Sequence, residues 1–466
     1  MYLPLSLITL ISIAVILMWM RSISPSNRAG SRASLPAVVL AIWIIASAAL
    51  GPRFYVLRFP GGFDITIERL FFILILFFLV SGLFAGKVNL RNNIGFEVLM
   101  GLFALVCIVS MIRSGFVQTS PEFSSPWFVF ITGYLFPFIV FIFSKNYIVS
   151  ENDVHIVINT LFLFGIYLCI TAFFEYFNLR QFVFPRYIAD PEIGIHLDRA
   201  RGPFLNAAFN GVGILMGFIC GIHLIEKKTG FTRLFYLISL LFYFPGVFFT
   251  LTRSVYLGLL ITVGIFLWGY KTSFSKWKLI SLPLALVVIV GFINSPRLLS
   301  SERRQGGVYQ MDEVSIRIAL IQQSILLYSG HPFTGVGLAQ FIPASLKEYK
   351  GKVSFIAESS ETQMQHNHLL GLAVELGAAG ILPYLIIIIM VFRRLMKLSG
   401  RLPSTGLLGK NMLIIIAAVW SVYLCNNLFV EPSLNLYLNS VPFIFAGIAD
   451  GLYSHHFKSG LNLSLT

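Results

Sequence analysis

Three kinds of side chain in this 466-residue chain have the types and spacing to act together: arginines that grip anionic oxygens, histidines that exchange a proton near neutral pH, and carboxylates set in apolar sequence. Arg199 and Arg201 stand in DRARGPFLNAAFNG, Arg253 in LTRS, and Arg317 in VSIRIALIQQSILLY. A guanidinium fork matches a pair of phosphate oxygens, so arginines gathered on one face point to a phosphate-bearing ligand. His331 opens a glycine turn, while His366 and His368 fall in QHNHLL. A neutral imidazole at such a place could take the proton of a hydroxyl. A metal pair is disfavoured, because histidines two apart on a helix point in different directions. Glu375, in ELGAAG, is a carboxylate within an apolar run and so a functional candidate, and a polar residue for close helix packing equally. Asp64 and Glu68 flank a helix start, where carboxylates commonly cap.

Plainer readings stand beside these. A single arginine at a helix end can snorkel to lipid headgroups, and Arg180, Arg186, Arg303 and Arg304 read as solvated or lipid-facing. His155, His196, His223, His455 and His456 have no companion motif and read as structural or surface residues.

The elements that would position these groups are membrane helices. Hydrophobic residues make up 57% of the chain and charged ones 12%, against roughly 25% charged in a soluble domain. Apolar runs fall at about 2–20, 36–51, 66–85, 95–112, 126–144, 154–174, 203–225, 233–251, 254–270, 278–294, 367–392, 411–430 and 434–453. A spanning helix needs about 20 largely apolar residues, so the spacing predicts an all-α bundle of about 12–13 transmembrane helices. No polar stretch is long enough for a separate soluble domain, and residues 1–466 read as one integral membrane domain whose first run is a retained helix. The net charge of +14 does not imply nucleic acid, because Lys and Arg sit in short connectors between apolar runs. Cys107, Cys169, Cys220 and Cys425 all lie inside apolar runs and read as inert thiols.

Every odd-numbered connector is basic, from Arg21, Arg28 and Arg32 after the first run to Arg393, Arg394, Lys397, Arg401 and Lys410 after the eleventh. These therefore face the cytoplasm. Two longer connectors, 175–202 and 295–366, then lie outside, and every candidate above falls on that side. The larger loop carries an amphipathic helix over Val314–Tyr328, expected along the membrane surface and stopped by Gly330-His331-Pro332.

These motifs resemble a family. RARGPFLNAAFNG (199–211) resembles the Arg-x-x-Gly-x-Phe-x-Asn-Pro-Asn segment of O-antigen ligases and Wzy-type polysaccharide polymerases, with Ala207-Ala208 where the family commonly has Pro-Asn. Thr252-Arg253-Ser254 resembles their Ser/Thr-Arg turn, and Arg317 with HPFTGVGLAQF their Arg…His-Pro-x-x-Gly-Val-Gly…Phe signature. His366-Asn367-His368-Leu369 with Glu375-Leu376-Gly377 resembles their histidine-bearing helix. Together the motifs occupy 195–380 in the family's order.

The resemblance implies a fold like GT-C-type membrane glycosyltransferases with a large periplasmic loop, in the bacterial inner membrane. It implies a glycan donor on undecaprenyl diphosphate, an acceptor that is lipid A–core or a second lipid-linked glycan, and no metal or other cofactor. On it, Arg199 or Arg201, with Arg253 and Arg317, would bind the diphosphate, and His366 or His368 would be the base, with Glu375, His331 and Asp64 in support. Two rival classes remain at this point. One is a glycan or lipid transporter, which would show two related halves and polar residues at the bilayer midplane; the other is a polyprenyl-phosphate-sugar glycosyltransferase using Asp64 or Glu68.

Overall fold

The computed structural model describes residues 33–58, 64–88, 94–116, 125–195, 197–226, 228–270, 311–349, 364–404 and 406–462. The expected runs 2–20 and 278–294, and Arg303 and Arg304, lie outside them.

The other expected apolar runs are all helices. They are α1 (Leu35–Ala49), α2 (Ile67–Phe84), α3 (Gly95–Arg113), α4 (Pro126–Tyr147), α5 (Glu151–Tyr176), α6 (Ala207–Ile225), α7 (Gly230–Phe249), α8 (Arg253–Gly269), α11 (His368–Ser399), α12 (Lys410–Asn427) and α13 (Leu436–Asn462). Between α8 and α11 lie α9 (Met311–Gly330) and the short α10 (Phe341–Tyr349). Seven of the helices are long and apolar enough to cross a membrane, so the chain is a polytopic helical bundle. Two short antiparallel strands, β1 (Leu57–Arg58) and β2 (Asp64–Ile65), set Arg58 opposite Asp64, and the start of α2 is capped by Thr66, whose Oγ1 accepts from Arg69 N at 3.2 Å. Thr66 thus fills the capping place that the sequence suggested for Asp64 and Glu68.

Within the bundle α13 packs along α4, α5 along α6, α8 along α12, and α11 along α3. The most enclosed helix is α6, buried along its whole length. Two motif asparagines start helices at one end: Asn206 Oδ1 accepts from Ala208 N (2.9 Å) to cap α6, and Asn367 Oδ1 accepts from Leu370 N (3.0 Å) to cap α11. At the opposite end, Lys145 contacts Glu97 (2.5 Å) and Asp450 (3.0 Å), and Asp450 also pairs with Arg394 at 2.8 Å. That cluster ties α3, α4, α11 and α13 together at the end where the basic connectors emerge. Arg394, expected in a connector, lies inside α11 because that helix runs on to Ser399.

The helix expected over Val314–Tyr328 is α9, and it is amphipathic in an unusual sense. Its inward face carries Ala319, Leu320, Gln323, Ser324 and Leu327, where Ser345 Oγ donates to Gln323 Oε1 (3.1 Å) and Gln365 Nε2 to Leu320 O (3.3 Å). Its outward face exposes Ile318, Ile321, Ile325 and Leu326.

Candidate active site at one end of the bundle

The site is built on a broken helix. Gly377 takes φ 62°, ψ −164° within α11, a backbone region essentially confined to glycine. In an unbroken helix Ala378 N and Ala379 N would donate to Val374 O and Glu375 O. Here the HPFTGVG segment takes both sides of the break. Ala378 N donates to Pro332 O (2.8 Å) and Ala379 N to Phe333 O (3.0 Å), while Val336 N and Gly337 N donate to Val374 O and Glu375 O, each at 2.9 Å. Backbone groups left unpaired at membrane depth cost several kcal/mol each, so the loop and the break require one another. Arg113, at the end of α3, donates to Thr334 O (2.9 Å) and Gly335 O (2.5 Å), and Ser110 Oγ accepts from Leu338 N (3.0 Å). Glu375 completes the clamp, its carboxylate accepting from Ala339 N (2.9 Å) and Phe341 N (3.3 Å). Glu375 thus has the packing role, and it also lines a cavity of about 300 Å³.

That cavity is lined as well by His368, Glu431, Gln365, Tyr134, Gly371 and apolar side chains that include Val129, Phe341 and Leu372. His368 is 1% exposed, and its Nδ1 lies 2.8 Å from Glu431 Oε1, which also accepts from Ser433 N at 3.0 Å. The Nε2 on the other edge of the ring is buried with no hydrogen-bond partner among the described residues. Tyr134 stacks on the imidazole (centroids 6.1 Å apart, 20° between planes), and Tyr384 meets it edge-on at 5.5 Å. Tyr134 reaches this position from a π-helical turn, Ile131–Leu135, inside α4, a local widening often found at functional sites. Thr132 Oγ1 of the same turn donates to Phe128 O (2.6 Å) and Ser433 O (3.0 Å), so the turn and the Glu431 loop are pinned together. Burial alone would raise the Glu431 carboxyl, but the charge of His368 and hydrogen bonds from His368 and Ser433 hold it below the usual carboxylate range.

Beside the cavity stands a group of cations. His366 is half-buried, and its pKa is lowered by burial and then by the positive charge of Arg317, against a smaller upward pull from Glu431. Arg317 is itself lowered by partial burial and by the charge of Arg253, the first residue of α8. Among the described residues neither Arg253 nor Arg317 has an ion pair or hydrogen bond.

Arg199 and Arg201 separate clearly. Arg201 is 1% exposed and engaged with the preceding loop: Nε donates to Ile188 O (3.1 Å), one terminal nitrogen to Ile188 O (2.7 Å) and Asp190 O (2.5 Å), and the other to Ile193 O (2.7 Å). Glu175 braces the same turn by accepting from Gly202 N at 2.9 Å. Arg199 sits 4.0 Å from Asp198, and its charge acts on Tyr256, three residues and so about one turn along α8 from Arg253. Arg180 donates to Leu197 O (2.9 Å) and Arg186 to Arg180 O (3.3 Å), so both fasten this loop. His331 is exposed and turns to Glu348 of α10, at 3.4 Å, away from the cavity. Sequence reasoning missed Glu431, Tyr134, Gln365 and Arg113. Of these only Glu431, an acid next to an apolar run in FVEPS, carried a visible signal.

Fold and site together define the class: a multi-pass helical membrane protein with a polar, cation-flanked cavity built around a broken helix. Residues 238–385 match the family model described as O-antigen ligase, a match that supports an O-antigen ligase-related family. The matched segment includes Arg253, Arg317, the glycine clamp, His366, His368 and Glu375. The match supports a membrane enzyme of the O-antigen ligase/polymerase type. No curated protein matches the chain.

Proposed function

We propose that this protein transfers or polymerises a glycan carried on undecaprenyl diphosphate at the periplasmic face of the bacterial inner membrane, as an O-antigen ligase or an O-antigen or exopolysaccharide polymerase. The observation that carries the reading is the grouping of Arg253 and Arg317, mutually repelling and without carboxylate partners among the described residues, beside the depressed imidazole of His366. Two such cations suit an anion that arrives with the substrate. In the reaction the acceptor oxygen bonds to the anomeric carbon as the bond from that carbon to the diphosphate oxygen breaks. The electron pair leaves with the diphosphate, held by Arg253, Arg317 and Arg199, and the hydroxyl proton passes to His366. Arg201 serves by holding its loop, since its donors are already taken. The arginines fill the charge-neutralising role that a divalent metal often has with phosphate leaving groups, so the scheme uses no cofactor. The outward apolar face of α9 rests on the membrane surface.

The test is transfer by purified protein from lipid-diphosphate glycan to lipid A–core or a second lipid-linked glycan, with EDTA present. Arg253→Ala abolishes transfer, and Arg253→Lys retains little, because a point charge lacks the bidentate fork. Full activity of Arg253→Ala at normal abundance would reduce the residue to an interfacial anchor. Orientation is checked separately. In a background lacking the four native cysteines, a cysteine replacing the exposed Lys347 of α10 reacts with a membrane-impermeant thiol reagent from the periplasmic side. Labelling only after permeabilisation would place the whole site on the wrong face.

A further inference from the structure

We propose that the cavity of about 300 Å³ beside His366 is the acceptor subsite and takes one uncharged sugar ring, held by His368, Glu431 and Glu375. The inference rests on the glycosyl-transfer reading and adds to it which substrate occupies this space and through what chemistry.

Composition of the wall decides the ligand class. Among the described residues no Lys or Arg lines the cavity, and its polar groups include two carboxylates, one imidazole and the Gln365 amide. Such a wall repels phosphate and favours hydrogen-bond donors, the pattern a ring of hydroxyls presents. Tyr134, Phe341 and Leu372 offer apolar surface to the C–H face of a pyranose. The volume stands at the low end of the roughly 300–1,000 Å³ of small-molecule pockets, enough for a single sugar and too small for an oligosaccharide. The second observation is the His368 ring, nine-tenths buried and more, fixed by Glu431 on one edge and, among the described residues, unpartnered at Nε2 on the other. A buried imidazole nitrogen left without a partner is destabilising unless a ligand meets it. The arginines outside would then hold the donor's diphosphate while the cavity holds the acceptor, so the two substrates meet at His366.

Gly371 makes the idea testable without removing any polar group. It lies in α11 on the cavity wall, and a Cβ added there would meet Glu431 Oε2 at 3.4 Å and the Gln365 side chain at 3.6 Å, ordinary contacts with no clash. Gly371→Ala should therefore fold at least as well as wild type, since alanine favours a helix. Gly371→Leu fills more of the same space. With saturating donor, Gly371→Leu raises the acceptor KM by about tenfold or more and Gly371→Ala by less, while the donor KM stays within about twofold. Unchanged acceptor KM in folded Gly371→Leu protein would overturn the subsite.

A binding arm keeps this apart from the transfer reading. Saturation-transfer NMR with a panel of uncharged methyl glycosides should show wild-type binding that Gly371→Leu loses and that inorganic phosphate does not compete away. If wild type transfers nothing yet binds a glycoside that Gly371→Leu rejects, the subsite stands and the transferase reading falls. No glycoside signal in wild type, equal signal in both proteins, or displacement by phosphate would overturn the subsite whatever the transfer assay shows.

Discussion

Replacing His366 by alanine lowers the rate of glycosyl transfer by about 10²–10⁴-fold while donor binding survives. The split follows from the division of charge at the site. The diphosphate is held by arginines that the substitution leaves in place, and the lost group acts only when the acceptor oxygen gives up its proton. The pH dependence gives the sharper signature. The base must be neutral, and burial followed by the Arg317 charge places the His366 pKa below that of an ordinary histidine, near 6.5. Activity should therefore hold through neutral pH and fall only as pH drops through that depressed value. Arg317→Gln removes a positive neighbour, so the imidazole binds its proton more readily and the acid limb moves to higher pH. His368→Ala gives a smaller loss, and His331→Ala mainly perturbs the loop through its contact with Glu348. Single-turnover rates from pH 5 to 8 with bound donor would measure all of this. Robust transfer by the His366/His368 double variant would remove the histidine-base mechanism.

The helices could be read from the chain because lipid imposes one rule everywhere: backbone groups must pair within the segment, so a sufficiently long apolar run is a helix. The apolar runs that fall among the described residues are found within a few residues of their expected edges, except that α11 and α13 run well past theirs, to Ser399 and Asn462. The four motif segments supplied the candidates, but their roles depend on contacts that no spacing encodes. Arg199 and Arg201 look equivalent in DRARG, yet Arg201 is committed to the carbonyls of residues 188–193. His368 gains its meaning from Glu431, 63 residues later, and from Tyr134 on a π-turn whose sequence, ITGYL, carries no helix-breaking residue beyond a glycine. The glycines of GVG suggested a flexible turn. In the structure they form a rigid clamp, because their backbone fills a gap opened in a helix more than 35 residues away.

That clamp sets the second large effect. Gly377→Ala and Gly335→Ala should each cost roughly 2–6 kcal/mol, combining backbone strain with a steric overlap that neither partner can relieve. At Gly377 the backbone stands at φ 62°, and a Cβ would lie 2.4 Å from the Phe333 carbonyl carbon and 2.6 Å from Thr334 N. At Gly335, φ is 63° and the Cβ would lie 2.3 Å from the Glu375 carbonyl carbon. In both cases the obstacle is main chain, so no rotamer change helps, and backing away breaks the hydrogen bonds joining Pro332–Gly337 to Val374–Ala379. Glu375 then loses Ala339 N and Phe341 N, and the cavity loses one wall. The expected result is low accumulation, early thermal unfolding in detergent, and loss of transfer that saturating acceptor does not restore. Cys107, Cys169, Cys220 and Cys425 are all buried, so a thiol-reactive fluorophore reports the unfolding without added labels. Gly371→Ala in the same helix, where the added methyl makes only ordinary van der Waals contacts, is the control and should unfold no earlier than wild type. Wild-type stability in Gly377→Ala would show that α11 can close into a continuous helix and that the loop is not held by the break.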